Sequence, residues 1–167
     1  MATVDYGRYD VGSGKLSSNG TTSATWSRGQ RFLAYDSAQK AYGTFAYVFS
    51  KVAIRKGSPV AWSSPGKVSH VKSAGASARR AGVSCALIST STYGFIQTKG
   101  PNFYRVRTDT GIAASDICMK DDNGNNEHLE TVTKTIASTQ TAWIMGRALA
   151  DDSGSYMAPG KLVLECE

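Results

Sequence analysis

Apolar residues recur along this chain in short runs separated by Gly, Pro, Asn, Asp and Ser, a spacing that predicts strands and turns. Gln30 to Tyr35 is a short strand candidate, and Thr44 to Ile54 (TFAYVFSKVAI) a long one. The second is aromatic and β-branched with apolar residues on both alternating faces, which predicts a strand covered on both sides. Lys56-Gly57-Ser58-Pro59 turns the chain into Val60 to Trp62, and Ser63 to Gly66 turns it again toward Val68 to Val71. Residues 73–81 (SAGASARRA) read as a loop or one weak helical turn. Val83 to Ile88 and Tyr93 to Gln97 follow as strands, Gly100-Pro101 punctuates, and Phe103 to Arg107 is a further strand. In Asp121-Asp122-Asn123-Gly124-Asn125 the Asn-Gly pair supplies the positive φ angles of a hairpin turn, joining Asp116–Lys120 to a strand near Leu129–Ile136. Thr141 to Leu149 is apolar, and Leu162, Leu164 and Cys166 alternate with Lys161, Val163 and Glu165 as a half-buried terminal strand.

No segment carries a helical stripe longer than two turns, and no repeat of fixed period occurs. About ten short strands with turn signals between them predict an all-β fold, a single compact antiparallel β-barrel or β-sandwich over residues 30–167. Residues 1–29 differ. They are rich in Gly, Ser and Thr, and their apolar residues, Val4, Tyr6, Tyr9, Val11, Leu16 and Trp26, follow no sustained period. Such a segment buries too little apolar surface to offset its own ordering entropy. It reads as an extended N-terminal arm that orders against a neighbour, with Tyr6, Tyr9 and Trp26 as its contact residues.

Composition narrows the function classes. The 167 residues are 41% hydrophobic and 19% charged, which suits one globular domain. No apolar stretch reaches the roughly 20 residues needed to span a bilayer. The start, MATVDYGRYD, lacks a basic region followed by an apolar block, so the expectation is a soluble protein made in a cytoplasm. The net charge is +6 and the pI about 9.3. The basic residues are scattered, with Lys51, Arg55 and Lys56 the densest group and Arg79-Arg80 a second. That dispersion fits an acidic protein lattice at least as well as DNA, and neither a membrane nor a specific nucleic acid is expected as partner.

Candidate chemistry is thin. Gly12-Ser13-Gly14-Lys15 would need its first phosphate-loop glycine at Tyr9 and a Ser or Thr at Leu16. Ser37–Lys40 and Ser64–Lys67 match the loose SxxK pattern, without its KTG and SDN companions. An EF-hand register that takes Gly124 as the turn glycine, sixth in the loop, puts Met119 at the first ligand position. His128 could share a strand face with Glu130, which makes only a pair, and His70 has no acid nearby in sequence. Phe103 to Arg107 could stack bases, but it also describes Tyr104 and Val106 facing a core with Arg105 and Arg107 facing water. Asn19-Gly20-Thr21 matches a glycosylation sequon that has no force without a secretion signal. Cys85, Cys118 and Cys166 are odd in number and contain no CxxC pair, which predicts reduced buried thiols. No cofactor, metal or catalytic residue is expected, and the chain reads as a non-enzyme.

One ordered set of segments resembles a known family. Phe45 to Gly57 followed by Val60, then Ala81 to Ala86, Tyr93 to Gln97 with Gly100, Thr110 to Asp116, and Ile144 to Leu149 occur in that order. They are similar to the phrases "YV.ASGAI..GD.V", "VGVA", "YGWVQ..G" and "IGRAL" of tailed-bacteriophage capsid decoration (cement) proteins. The resemblance covers roughly residues 30–165. The tryptophan after Tyr-Gly is Phe95 here, and the glycine of the first phrase is Val52. The resemblance implies a compact β domain on the capsid exterior that stabilises the head without catalysis. Its implied partners are the major capsid protein and neighbouring copies of itself, a trimer being one arrangement. A tail, fibre or baseplate β domain, or a small ligand-binding or enzymatic β-barrel, stays open as an alternative.

Overall fold

The computed structural model describes Leu16 and residues 19–36, 39–63, 66–69, 80–108, 112–114, 117–121, 128, 130–131, 142–151 and 156–166. Its elements are strands: β1 (Arg31–Asp36), β2 (Ala41–Ser50), β3 (Pro59–Ser63), β4 (Lys67–Ser69), β5 (Arg80–Ser84) and β6 (Thr92–Pro101). They continue as β7 (Val106–Arg107), β8 (Ile117–Asp121), β9 (Glu130–Thr131), β10 (Ala142–Ala148), β11 (Tyr156–Met157) and β12 (Leu162–Glu165). The order β2-β4-β3-β5-β6 returns to β2 through a β2–β6 pairing, which closes a five-stranded barrel. The sheet runs on from β6 through β12, β10, β8 and β9, while β7 and β11 form a separate pair.

β2 makes the closure possible because different parts of it serve different neighbours. Ala41–Ala46 pair with β1, Phe49 and Ser50 pair with β4, and Thr44–Ser50 pair with β6. The β2–β4 pairing is parallel, whereas every other strand pairing among the described residues is antiparallel, so the expected antiparallel barrel carries one parallel seam. The chain enters β1 and β4 at one point, where a Cβ on Gly66 (φ +76°) would lie 2.3 Å from the Gly29 nitrogen. Only glycine fits there.

Three apolar clusters result. The barrel interior holds Ala46 and Val48 of β2 with Ile54, Val60, Trp62, Val68, Ile88 and Ile96. Trp62 is buried and donates its indole N–H to the Ala81 carbonyl at 3.1 Å, which satisfies its one polar atom. The opposite face of β2 gives Phe45 and Tyr47 to an aromatic cluster with Leu16, Phe32, Ala34, Cys85, Phe95 and Phe103. A third cluster, with Val83, Val106, Met145, Leu162, Leu164 and Cys166 among its members, packs the sheet extension against β5. The two-faced apolar run of β2 is thereby explained: each face has its own core.

Several predicted strand limits shift, for identifiable reasons. β2 stops at Ser50 because that hydroxyl donates to the Val52 carbonyl (2.6 Å) and accepts from the Val52 N–H (3.2 Å), a local turn that competes with the ladder. Ile54 rejoins the fold through a lone bridge to Ile88. β6 passes through Gly100 and Pro101, where a break was expected, and pairs there with β12. Gly100 (φ +91°) permits this, since a Cβ would lie 2.4 Å from the Tyr42 carbonyl oxygen. Phe103 and Tyr104 are not strand. The Gln97 side chain accepts from the Phe103 N–H (2.9 Å), and Asn102 Nδ2 donates to the Tyr104 (2.9 Å) and Ala158 (2.9 Å) carbonyls. Asn102 Oδ1 also accepts from the Leu162 N–H at 2.9 Å, so one buried amide ties β12 and its preceding turn to the end of β6. Strands β8 and β9 pair antiparallel as the predicted hairpin requires, although its Asn123-Gly124 turn and residues 132–141 lie outside the described residues.

Candidate functional site

Residues 19–30 form a strap across the aromatic face of β2 and β6, on the outside of the barrel. Gly20 N–H donates to the Leu87 carbonyl (2.9 Å), and Thr21 and Tyr93 exchange two backbone hydrogen bonds (3.0 and 2.8 Å). At the other end Gly29 N–H donates to the Tyr47 carbonyl (2.7 Å) and Tyr47 N–H to the Gln30 carbonyl (2.9 Å). Between these ties Trp26 turns its ring inward. It meets Phe32, Tyr47 and Phe95 edge-to-face, with centroids 5.4, 5.2 and 5.3 Å away. Such contacts add about 0.5–1.5 kcal/mol each beyond simple burial. Trp26 therefore makes its ring contacts within its own chain, and Tyr6 and Tyr9, the other two expected contact residues, lie outside the described residues.

The strap does not seal the aromatic face. A cleft of about 210 Å³ opens beside Trp26, walled by Trp26, Tyr47, Tyr93 and Phe95. Gly94 contributes to its lining, and Asn19, Thr21 and Thr25 are its polar members. Tyr93 stacks on Tyr47 at 5.5 Å and 10°. The Tyr47 hydroxyl accepts from the Thr25 N–H at 3.2 Å, which leaves its own O–H as a donor. The volume lies above the roughly 150 Å³ of a benzene-binding cavity and below the roughly 300 Å³ at which small-molecule sites begin. It fits one ring.

A second feature is electrostatic. Lys51, Arg55 and Lys56 are exposed, and the fold adds Arg105 to them: a Cβ on Gly57 would lie 2.3 Å from the Arg105 carbonyl oxygen, and Lys56 Nζ sits 5.2 Å from the centre of the Tyr104 ring. Arg105 is exposed as expected, whereas Arg107 is half-buried, with Nη2 3.1 Å from His128 Nε2 and its guanidinium over Tyr156 at 5.8 Å. Glu130 has no described side chain, and His70, Ser37, Ser64 and Gly12–Lys15 lie outside the described residues. Asn19 and Thr21 of the sequon both line the cleft.

Cys85 and Cys166 are free, buried thiols. Burial drives the Cys85 thiol far above its ordinary range, only partly opposed by the nearby Lys56 charge. Cys166 is pushed up to about 12, again by burial, and its thiol lies 3.1 Å from the Met145 carbonyl. Cys118 has no described side chain. Among the described residues no group of three or more His, Cys, Asp and Glu side chains is placed to hold a metal ion, and no helix is long and apolar enough to cross a membrane. No protein-family model, no curated protein and no solved structure matches this chain.

Proposed function

We propose that this protein is a structural component of a phage particle that binds the outer surface of the assembled capsid and stabilises it without catalysis. The observation that carries the reading is where the family-like segments fall. Phe45–Ser50 belong to β2, Ala81–Ser84 to β5 and Tyr93–Gln97 to β6, three consecutive members of the closed barrel, and Ile144–Ala148 belong to β10. Four of the segments therefore contribute strands to one β domain, while Lys51–Gly57 lies between β2 and β3 and Thr110–Asp116 is only partly among the described residues. The basic group of Lys51, Arg55, Lys56 and Arg105 supports docking on an acidic shell. Binding to the assembled lattice in preference to free subunits stabilises that lattice by mass action, by about 2.7 kcal/mol per site at a hundredfold excess over Kd.

The test compares heads with and without the protein for heat-induced DNA release. Bound protein is expected to raise the release temperature, binding to weaken as salt rises, and Lys56→Glu with Arg105→Glu to reduce occupancy at least tenfold. Equal release with and without the protein, or a particle map placing it only inside the shell or on the tail, overturns the reading.

A further inference from the structure

The cleft beside Trp26 has the dimensions and chemistry of a socket for one phenol ring, and we propose that it receives Tyr6 or Tyr9 from the N-terminal segment of a second copy of this chain. The four ring walls offer edge and face contacts to an aromatic guest, as they already do to one another at 5.2–5.5 Å. The Tyr47 O–H, together with Asn19, Thr21 and Thr25, supplies hydrogen-bonding groups to the polar tip that a tyrosine carries and a phenylalanine lacks.

The occupant is named by the chain itself. Leu16 is fully buried in the cluster that contains the cleft walls Tyr47 and Phe95, so the residue that follows the 1–15 segment is anchored on the aromatic face. Tyr6 and Tyr9 are the only aromatic residues in it. Its charges balance, Asp5 and Asp10 against Arg8 and Lys15, so it carries no net repulsion toward a basic domain. The aromatic pair Tyr35–Tyr42 on β1 and β2 is already mutually packed at 4.9 Å, and Tyr156 lies under Arg107. Tyr9 and Tyr6 stand seven and ten residues before Leu16, so an extended segment carries them about 23 and 33 Å from that anchor, enough to reach the cleft of a second copy packed against this face.

A chain with the plug on one segment and the socket on its wall assembles head to tail, because the two surfaces differ. Such a contact closes into a ring when the rotation per step allows it. Trp26 changes role accordingly: it is a wall of the receiving site, while Tyr6 and Tyr9 are the inserted rings. The inference needs no capsid, so its failure and the failure of the docking reading are separate results.

Sedimentation velocity on the full-length protein over a wide concentration range tests it. The unaltered chain is expected to self-associate. Tyr6→Ala combined with Tyr9→Ala removes the plug, and Thr25→Trp, at an exposed position of the cleft lining, blocks the socket. Each is expected to weaken association at least about thirtyfold, the size of a central aromatic anchor. A mixture of the two is expected to form a one-to-one pair, because one intact plug then meets one intact socket. The plug variant changes no residue of the barrel strands, so it remains informative even if Thr25→Trp does not fold. A chain that stays monomeric at every concentration, association unchanged by the plug variant, or a mixture of two folded variants that does not pair overturns the proposal.

Discussion

β2 buries its two faces by two different means. Inward, Ala46 and Val48 meet mainly aliphatic partners and Trp62 inside a ring of strands that closes on itself. Outward, Phe45 and Tyr47 meet rings, and the cover over them is a strap held by a few backbone hydrogen bonds at its ends. Every member of the inner cluster is at most 4% exposed, whereas Trp26, Tyr93 and Tyr104 stay half-buried on the outer one. A closed ring excludes water because each strand is flanked on both sides, so its interior opens only when the barrel does. A strap can lift by itself. Local stability is set by how many buried contacts and hydrogen bonds must break together, and by that measure the outer face is the cheaper one to open. It is also the face that carries the cleft.

The largest effect is expected inside the ring. Trp62→Ala removes the biggest interior side chain and leaves the Ala81 carbonyl without its indole donor. Urea unfolding should show a loss of about 4 kcal/mol. If the loss were below about 1 kcal/mol, the interior would not be the stabilising half of the comparison.

Trp26→Ala sharpens the contrast. The three edge-to-face contacts vanish, but the residue is already half-buried, so the expected loss is about 2 kcal/mol. Hydrogen exchange should separate the regions: the Thr21 and Gly29 amides lose protection while Val48 and Ile96 keep theirs. Equal loss at all four would mean that strap and barrel open as one unit.

The smallest effect comes from the thiols, one in each of two clusters. Cys85 and Cys166 should resist a thiol reagent at pH 8 in the native protein and react once it is unfolded. Both folded values are raised above the ordinary 9.0, so the folded chain holds these protons more tightly than the unfolded one. Their stabilising contribution is complete below pH 9 and is lost as pH rises toward the folded values. At pH 10 that loss is on the order of 1 kcal/mol per thiol. Comparison with Cys85→Ala and Cys166→Ala isolates it from the titration of lysines and tyrosines. A variant with the same alkaline slope as the parent would assign the slope to other groups.

The residues themselves determined the all-β class, the double burial of β2 and the alternation of β12, because side-chain period and β-branched content are local properties. Strand limits were less legible. The side chains of Ser50, Gln97 and Asn102 end or redirect strands by hydrogen bonds to backbone, and apolar pattern does not register those bonds. The N-terminal segment read as one arm ending at residue 29, yet Leu16 and the strap are packed on the barrel of their own chain. Its weak period hid this, since a strap crossing an aromatic face at a few points needs no regular alternation. Tertiary structure alone decided three further things. It closed the ring through the β2–β6 pairing, brought Arg105 to Lys56 across the close Gly57 contact, and set Trp26 against Tyr47 and Phe95 to leave a cleft between strap and barrel. Each joins residues distant along the chain. Periodicity reports which face a side chain occupies, and only the paired strands decide what that face meets.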